Sequence, residues 1–251
     1  MAKEKELVLY NKLAKYYDKL YSYKNYNKEA AFLVQIIKKN FKKSKILNIL
    51  DIACGTGTHL QKLENSLPNA NFYGLDVNTG MLTVAKSKLK NTKLKLGDFK
   101  KFDFGIKFDV IFCLSSSIQY LSGVEELNIL LKNIKRILNP NGLFIFDLAY
   151  CKELWQEGYT NISTYADNKI QIAEIYKSRS ANNFSYWDPI YLVKKNNKVD
   201  FIVDHHKIFL FSIPEVMNYL KREGFNVKLF KDFNASKTKG KIPIFVCIRG
   251  Q

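Results

Sequence analysis

Leu50-Asp51-Ile52-Ala53-Cys54-Gly55-Thr56-Gly57-Thr58 is the stretch on which the reading of this chain turns. The apolar run 46–53 carries Asp51 near its end and passes into a turn with two glycines. A helical pattern over 58–67 follows and stops at Pro68-Asn69. Gly55 and Gly57 permit a sharp turn and let a ligand approach the backbone with no Cβ in the way. The helix behind them begins with unpaired N–H groups, which face whatever occupies the turn.

The same alternation continues downstream. A β run over 71–77 contains Asp76 and leads into a helix over 79–89; 94–98 and 108–114 read as the third and fourth strands. An amphipathic helix over 124–138 closes at Asn139-Pro140-Asn141-Gly142, and 143–148 is the fifth strand. These strands are apolar without alternation, as in parallel sheets covered on both faces. The pattern predicts an α/β fold with a doubly wound sheet.

The rhythm then breaks. Three β runs, 170–178, 184–194 and 199–211, are separated by Ala181-Asn182-Asn183 and Lys195-Asn196-Asn197-Lys198 with no helix between them. They predict an antiparallel meander. A helix over 213–223, closed by Gly224, returns the chain to the first sheet, where 227–230 and 242–248 are the last two strands. The expected whole is a doubly wound seven-stranded sheet with a small antiparallel β meander inserted after the fifth strand. Upstream, 7–26 is rich in Tyr and Lys, and 29–40 has helical spacing. The chain thus divides into an N-terminal helical lid (1–43), a ligand-binding core (44–150), a β insertion for substrate capping or dimerisation (151–211), and the C-terminal end of the core sheet (212–251).

Composition closes other doors. Of 251 residues 47% are apolar and 25% charged, a globular balance. The longest strongly apolar runs are near seven residues, whereas a membrane span needs roughly 20, so no membrane association is expected. Met1-Ala-Lys-Glu-Lys-Glu-Leu7 has no apolar core of a signal peptide. Four scattered cysteines form no CxxC pair, so neither metal nor disulfide is expected and a cytoplasmic setting fits. The formal charge is 40 − 23 = +17, but only four of the 40 basic residues are Arg and the lysines are scattered. Compositional bias therefore stands ahead of a polyanion-binding surface. Nucleic acid is a disfavoured partner, and an anionic small molecule remains compatible with the charge.

The glycine turn also limits its ligand. A dinucleotide fingerprint needs a third glycine where Leu60 stands, and no Gly-Lys-Ser/Thr follows for a phosphate loop. Asp76 lies 19 residues beyond Gly57, where a carboxylate can accept both hydroxyls of a ribose. Asp98 ends the third run, where it can accept from an adenine amino group. An acid, a glycine turn and two further acids at successive strand ends suit an adenosine ligand with a cationic end and no phosphates. S-adenosylmethionine is such a ligand.

On these motifs the chain resembles the class I S-adenosylmethionine-dependent methyltransferases, a Rossmann-like fold. Asp51-Ile-Ala-Cys-Gly-Thr-Gly57 matches the E/D-x-G-x-G signature in its lengthened form, followed by Gly74-Leu-Asp76 and Gly97-Asp98-Phe99. The resemblance implies that Gly55 and Gly57 face the methionine part, Asp76 the ribose, Asp98 and Phe99 the adenine, and that Met81 packs on the adenine. The expected cofactor set is Tyr17, Tyr26, Asp51, Ala53, Gly55, Gly57, Asp76, Val77, Met81, Asp98, Phe99 and Leu114.

A narrower resemblance is to the aminosugar N,N-dimethyltransferases of deoxysugar pathways. It rests on Tyr17-Asp-Lys-Leu-Tyr21 with Lys24-Asn-Tyr26 and Glu29-Ala30, on Ser116-Ser-Ile-Gln-Tyr-Leu121, and on Asp204-His-His-Lys-Ile-Phe-Leu-Phe211. Tyr120 stands where the family has a His close to the amine. The implied activity is methyl transfer to a small-molecule acceptor, an amine on a nucleotide-linked sugar. Tyr17, Tyr26 and Tyr120 are expected to wall the reacting charge, and His206 to take the substrate proton. Tyr17, Tyr120 and His206 are therefore the expected catalytic set. His205 has the opposite strand face and is expected to point away. The rival readings are a methyltransferase acting on RNA or protein and a non-catalytic S-adenosylmethionine-binding module; the assembly is expected to be a monomer or a homodimer.

Overall fold

The structure, a computed structural model, describes residues 7–196, 198–233 and 242–250. The charged segment before Leu7 and Asn197 of the second Asn-Lys turn lie outside them.

A 3-10 turn (Ala14–Tyr16) and a short helix α1 (Tyr17–Leu20) precede α2 (Tyr26–Asn40). The side chain of Asn25 caps α2 by accepting the Lys28 N–H at 3.0 Å. The core follows as β1 (Asn48–Asp51), α3 (Thr58–Ser66), β2 (Asn71–Asp76), α4 (Thr79–Lys88) and β3 (Thr92–Leu96). It continues through β4 (Phe108–Cys113), α5 (Val124–Ile137) and β5 (Leu138–Asp147).

Six strands come next: β6 (Thr160–Ala166), β7 (Ile170–Ala181), β8 (Phe184–Trp187), β9 (Ile190–Lys195), β10 (Lys198–Val203) and β11 (His206–Phe209). The chain closes with α6 (Ile213–Arg222), β12 (Phe225–Lys231) and β13 (Pro243–Arg249). Ser212 caps α6 by accepting the Glu215 N–H, with Pro214 in the first turn.

The first sheet has seven strands in the order β12-β13-β5-β4-β1-β2-β3. β1 pairs in parallel with both β2 and β4, and β13 runs antiparallel to its neighbours. The expected doubly wound sheet is therefore present. Its strand order reverses at β1, which opens a crevice at the C-terminal ends of β1 and β4. Alternate residues serve opposite faces. Leu50, Ile111 and Phe144 pack against Leu127, Leu130, Leu131 and Ile134 of α5. Ile49, Val110, Phe112 and Ile145 pack against Leu33, Ile36 and Ile37 of α2 and Leu60 and Leu63 of α3. Burial of each such side chain contributes about 1.5–3 kcal/mol, so the two faces clamp the sheet rigidly beneath the crevice.

Three details differ from the sequence reading. The insertion has six strands where three runs were expected. Pro189 cannot donate to a ladder and separates β8 from β9, while the chain between β10 and β11 breaks at Asp204-His205. β6 lies in a polar stretch and pairs with β7. β5 starts at Leu138, because the Asn139–Gly142 segment is absorbed into the strand with Asn141 in a left-handed conformation (φ 61°). Asp98 lies beyond the end of β3, in a bridge with Lys101.

The second sheet has the order β10-β9-β7-β8-β11, with β6 also on β7. Its inner side packs Ile170, Ile172, Tyr191 and Val193 on Leu9, Leu13, Leu20 and Tyr21 of the N-terminal segment. That contact carries the N-terminal segment across the crevice.

Candidate functional site

A cavity of about 570 Å³ fills the crevice. Asp51, at the end of β1, is buried, and its Oδ1 accepts the Ala53 N–H at 3.2 Å. Asp76, at the end of β2, accepts the Gly55 N–H at 2.8 Å with Oδ2 and the Asn78 N–H at 2.8 Å with Oδ1. Burial raises the pKa of both carboxyls. Two carboxylates held in a half-enclosed space make a seat for a ligand with hydroxyl donors and positive charge. Asp98 holds the next turn through the Lys100 N–H at 2.8 Å.

The N-terminal segment covers this floor. Gly80 N–H donates to Asn11 Oδ1 at 3.2 Å, and a Cβ on Gly80 would stand 2.5 Å from the Asn11 Cα. Glycine at 80 is what lets that segment come so close. Asp18 accepts the hydroxyls of Thr56 at 2.6 Å and Thr58 at 3.2 Å and pairs with Lys88. α1 is thereby fastened to the glycine turn. His59 meets Glu29 of α2 at 2.6 Å, with the Tyr26 ring 5.0 Å away edge-on.

Of the residues singled out in the sequence, Tyr17, Tyr26, Asp51, Ala53, Gly55, Asp76, Val77, Met81, Asp98, Phe99, Leu114 and Tyr120 line the cavity together. Gly57 and His206 are not among the lining residues. Gly57 (φ 77°) precedes α3, and a Cβ there would meet Leu89 Cδ1 at 2.8 Å and Ala85 Cβ at 3.1 Å. Glycine at 57 lets α3 seat closely against α4. His206 is buried behind Tyr120, and His205, in the break before β11, lines the cavity instead. Strand alternation does not hold there, because the chain leaves the ladder at Asp204.

His206 is nevertheless connected to the cavity. Its Nδ1 lies 2.8 Å from the Tyr120 hydroxyl, which is 2.8 Å from the hydroxyl of Tyr10. Its Nε2 is 3.3 Å from Asp204 Oδ2, which accepts the Leu9 N–H at 2.9 Å. The imidazole stacks on Trp187 at 3.9 Å. Burial pushes the phenols of Tyr10 and Tyr120 well above their ordinary pKa.

The sequence reading missed Leu7, Tyr10, Asn11, Phe184, His205 and Lys207 of the cavity wall. Leu7, Tyr10, Asn11 and Phe184 come from stretches that no motif marks, while His205 and Lys207 lie in the 204–211 motif but were not read as facing the cavity. It also missed a second cavity, of about 450 Å³, lined by Trp155, Trp187, Tyr150, Tyr159, Tyr176, Ser178 and Ser185 among others. Trp155 and Trp187 are the only tryptophans of the chain. The hydroxyl of Ser185 is buried in that wall with no hydrogen-bond partner. Trp187 belongs to this second cavity while its stacking partner His206 touches Tyr120 of the first, so one aromatic wall separates the two.

Residues 49–142 match the model of a methyltransferase domain. The chain is 26% identical over 206 residues to the dTDP-3-amino-3,6-dideoxy-alpha-D-glucopyranose N,N-dimethyltransferase of Streptomyces fradiae, covering 82% of this chain and 79% of that one. The crystal structure of DesVI from Streptomyces venezuelae superposes with a TM-score of 0.82 at 25% identity, covering 95% of this chain and 98% of that one. An S-adenosylmethionine-bound amino pentose methyltransferase from Micromonospora echinaspora shares the fold, with a TM-score of 0.75 at 22% identity over 90% and 92% of the two chains.

Proposed function

We infer that this chain, a class I S-adenosylmethionine-dependent methyltransferase, methylates the amino group of a nucleotide-linked amino sugar. The observation that carries the substrate class is the second cavity: it lies between the segment that follows β5 and the inserted sheet, behind the wall of the cofactor crevice, and is lined by both tryptophans. Planar aromatic walls with the unpartnered hydroxyl of Ser185 suit a nucleobase. Likeness to DesVI extends through this insertion, since it covers 95% of the chain.

When bound, S-adenosylmethionine supplies an electrophilic methyl group on a positively charged sulfur. The buried Asp76 carboxylate is placed to take the ribose hydroxyls, and the acids at Asp51 and Asp76 favour a cationic ligand. Asp98, Phe99 and Met81 form the adenine end; Tyr17, Tyr26 and Tyr120 form the walls near the reacting atoms. The residues do little covalent chemistry in this account. They align acceptor and donor, and alignment alone supplies several kcal/mol of the barrier reduction, up to about 10. Aromatic faces tolerate the positive charge as it moves off sulfur.

Segments 1–43, 44–150, 151–211 and 212–251 then act as lid, cofactor core, acceptor cap and sheet completion. All four cysteines are buried free thiols, which supports a reducing cytoplasmic setting. Among the described residues no helix is long and apolar enough to cross a membrane. The charge of +17 favours an anionic acceptor by raising its encounter rate.

The outer face of the second sheet supports a homodimer. Ile162, Val199 and Phe201 are each more than 60% exposed there, beside Ile175, Leu192 and Val203. Together they form a contiguous apolar patch of the kind that marks an interface, in which each partner brings roughly 800 Å².

The test of the acceptor reading uses the tryptophans. Titration with dTDP is expected to quench the intrinsic fluorescence of Trp155 and Trp187 saturably; unchanged emission across the titration contradicts a nucleotide seat in that cavity.

A further inference from the structure

We propose that Tyr120 and His206 form a proton relay for the acceptor amine, with Tyr10 and Asp204 as its positioning residues; this rests on the amine-acceptor reading above. An amine that attacks a methyl group becomes an ammonium, and a group in the crevice that receives its proton lets the product leave neutral. Neither phenol does so alone, because burial keeps both protonated far above neutral pH. The carboxylates at Asp51 and Asp76 are engaged by the glycine turn and its neighbours. His206 is the nearby group with a nitrogen turned to the Tyr120 hydroxyl, at 2.8 Å.

Donors and acceptors can be assigned consistently from Tyr10 to His206. Asp204 Oδ2 lies 3.3 Å from the buried Nε2, out of line for a hydrogen bond, and its charge beside that nitrogen favours the imidazole tautomer with the proton on Nε2. Nδ1 is then an acceptor, and the Tyr120 O–H donates to it. Tyr120 in turn accepts the O–H of Tyr10 at 2.8 Å. One lone pair on the Tyr120 oxygen stays open to the cavity that Tyr10 and Tyr120 both line. Trp187, stacked at 3.9 Å, fixes the imidazole plane. Asp204 Oδ2 also accepts the Leu9 N–H, so the carboxylate that orients His206 anchors the residue next to Tyr10. Docking of the N-terminal segment and assembly of the relay are one event.

The step balances. The amine nitrogen forms a bond to the methyl carbon as the carbon–sulfur bond breaks, its electron pair passing to sulfur. The N–H proton passes to the Tyr120 oxygen while the Tyr120 O–H proton passes to His206 Nδ1. The positive charge lost from sulfur reappears on the imidazolium beside the Asp204 carboxylate. The methylated amine leaves neutral, and the imidazolium gives its proton to water when the N-terminal segment opens.

Two measurements test this separately from the acceptor assignment. In the full-length protein without acceptor, ¹⁵N NMR of His206 is expected to show Nδ1 unprotonated and Nε2 protonated; a proton on Nδ1 overturns the relay whatever the acceptor is. With dTDP-3-amino-3,6-dideoxyglucose as acceptor, turnover by the wild-type protein tests the acceptor reading. Against that rate, Tyr120→Phe and His206→Gln are each expected to lower kcat about a hundredfold, in the range of general base catalysis, with S-adenosylmethionine affinity unchanged. Tyr10→Phe, which removes one oxygen, is expected to lower kcat about tenfold. It should leave KM little changed and alter the solvent isotope effect on methyl transfer. Wild-type kcat and isotope effect in Tyr120→Phe or Tyr10→Phe overturn the proposal even if His206→Gln fails to fold.

Discussion

The carboxylate of Asp76, at the end of β2, accepts the backbone N–H of Gly55, in the turn after β1, at 2.8 Å. Its second oxygen accepts the Asn78 N–H at 2.8 Å. One side chain thus shapes the turn and faces the cavity. Hydrogen bonds to a charged group contribute about 1.5–3 kcal/mol each. Asp76→Ala is therefore expected to weaken S-adenosylmethionine binding at least about tenfold by calorimetry, and unchanged affinity would contradict the ribose assignment.

The two glycines of the turn separate binding from folding. A Cβ on Gly55 meets nothing within 4 Å, whereas one on Gly57 meets Leu89 and Ala85 at 2.8 and 3.1 Å. Both have positive φ. Gly57→Ala adds overpacking to backbone strain and is expected to cost about 2–4 kcal/mol in denaturant unfolding. Gly55→Ala is expected to cost only about 1 kcal/mol, with its larger effect on cofactor affinity. Equal losses of stability would show that the turn is packed differently.

Asp147 gives a pH dependence. It is 2% exposed at the end of β5, and burial raises its pKa from 3.8 to about 7 against the pull of the Ser116 N–H at 2.9 Å. The folded state holds a proton that the unfolded chain releases above pH 3.8. Stability from this group is therefore fully present below pH 3.8 and is lost as pH rises through about 7, by up to about 4 kcal/mol. Asp147→Asn is expected to flatten the decline of Tm between those values, leaving the variant relatively more stable at pH 8. Parallel Tm curves for the two proteins would remove Asp147 from the account.

The outer face of the second sheet is testable by size. Phe201 is 64% exposed on β10, directly paired with Leu192 of β9. Phe201→Lys is expected to shift the protein to a monomer in sedimentation at concentrations where the wild type is dimeric. A wild type that sediments as a monomer throughout would leave that face without a second copy.

What the sequence made legible, and what it hid, follows from the local physics. The unit from Leu50 to Thr58 and the acids at Asp76 and Asp98 could be read because apolar parallel strands and glycine turns leave period-specific marks. The insertion was read as β but with too few strands, since Pro189 and the Asp204-His205 break interrupt runs that composition alone joins. Asp18 and Tyr10 were hidden. Each acts through a partner far away in the chain, Thr56 for the first and Tyr120 for the second, at sequence separations of 38 and 110. His206 was singled out as facing the crevice, but its place behind Tyr120 could not be read, because strand alternation stops one residue before it.

The central claim is tested most directly by incubating the protein with S-adenosylmethionine and dTDP-3-amino-3,6-dideoxyglucose, in parallel with RNA and with protein, and measuring the mass of each acceptor. The account predicts a gain of one or more methyl groups on the sugar nitrogen, with S-adenosylhomocysteine formed in equal amount. Methyl gain on RNA or protein, with the amino sugar unchanged, would contradict it.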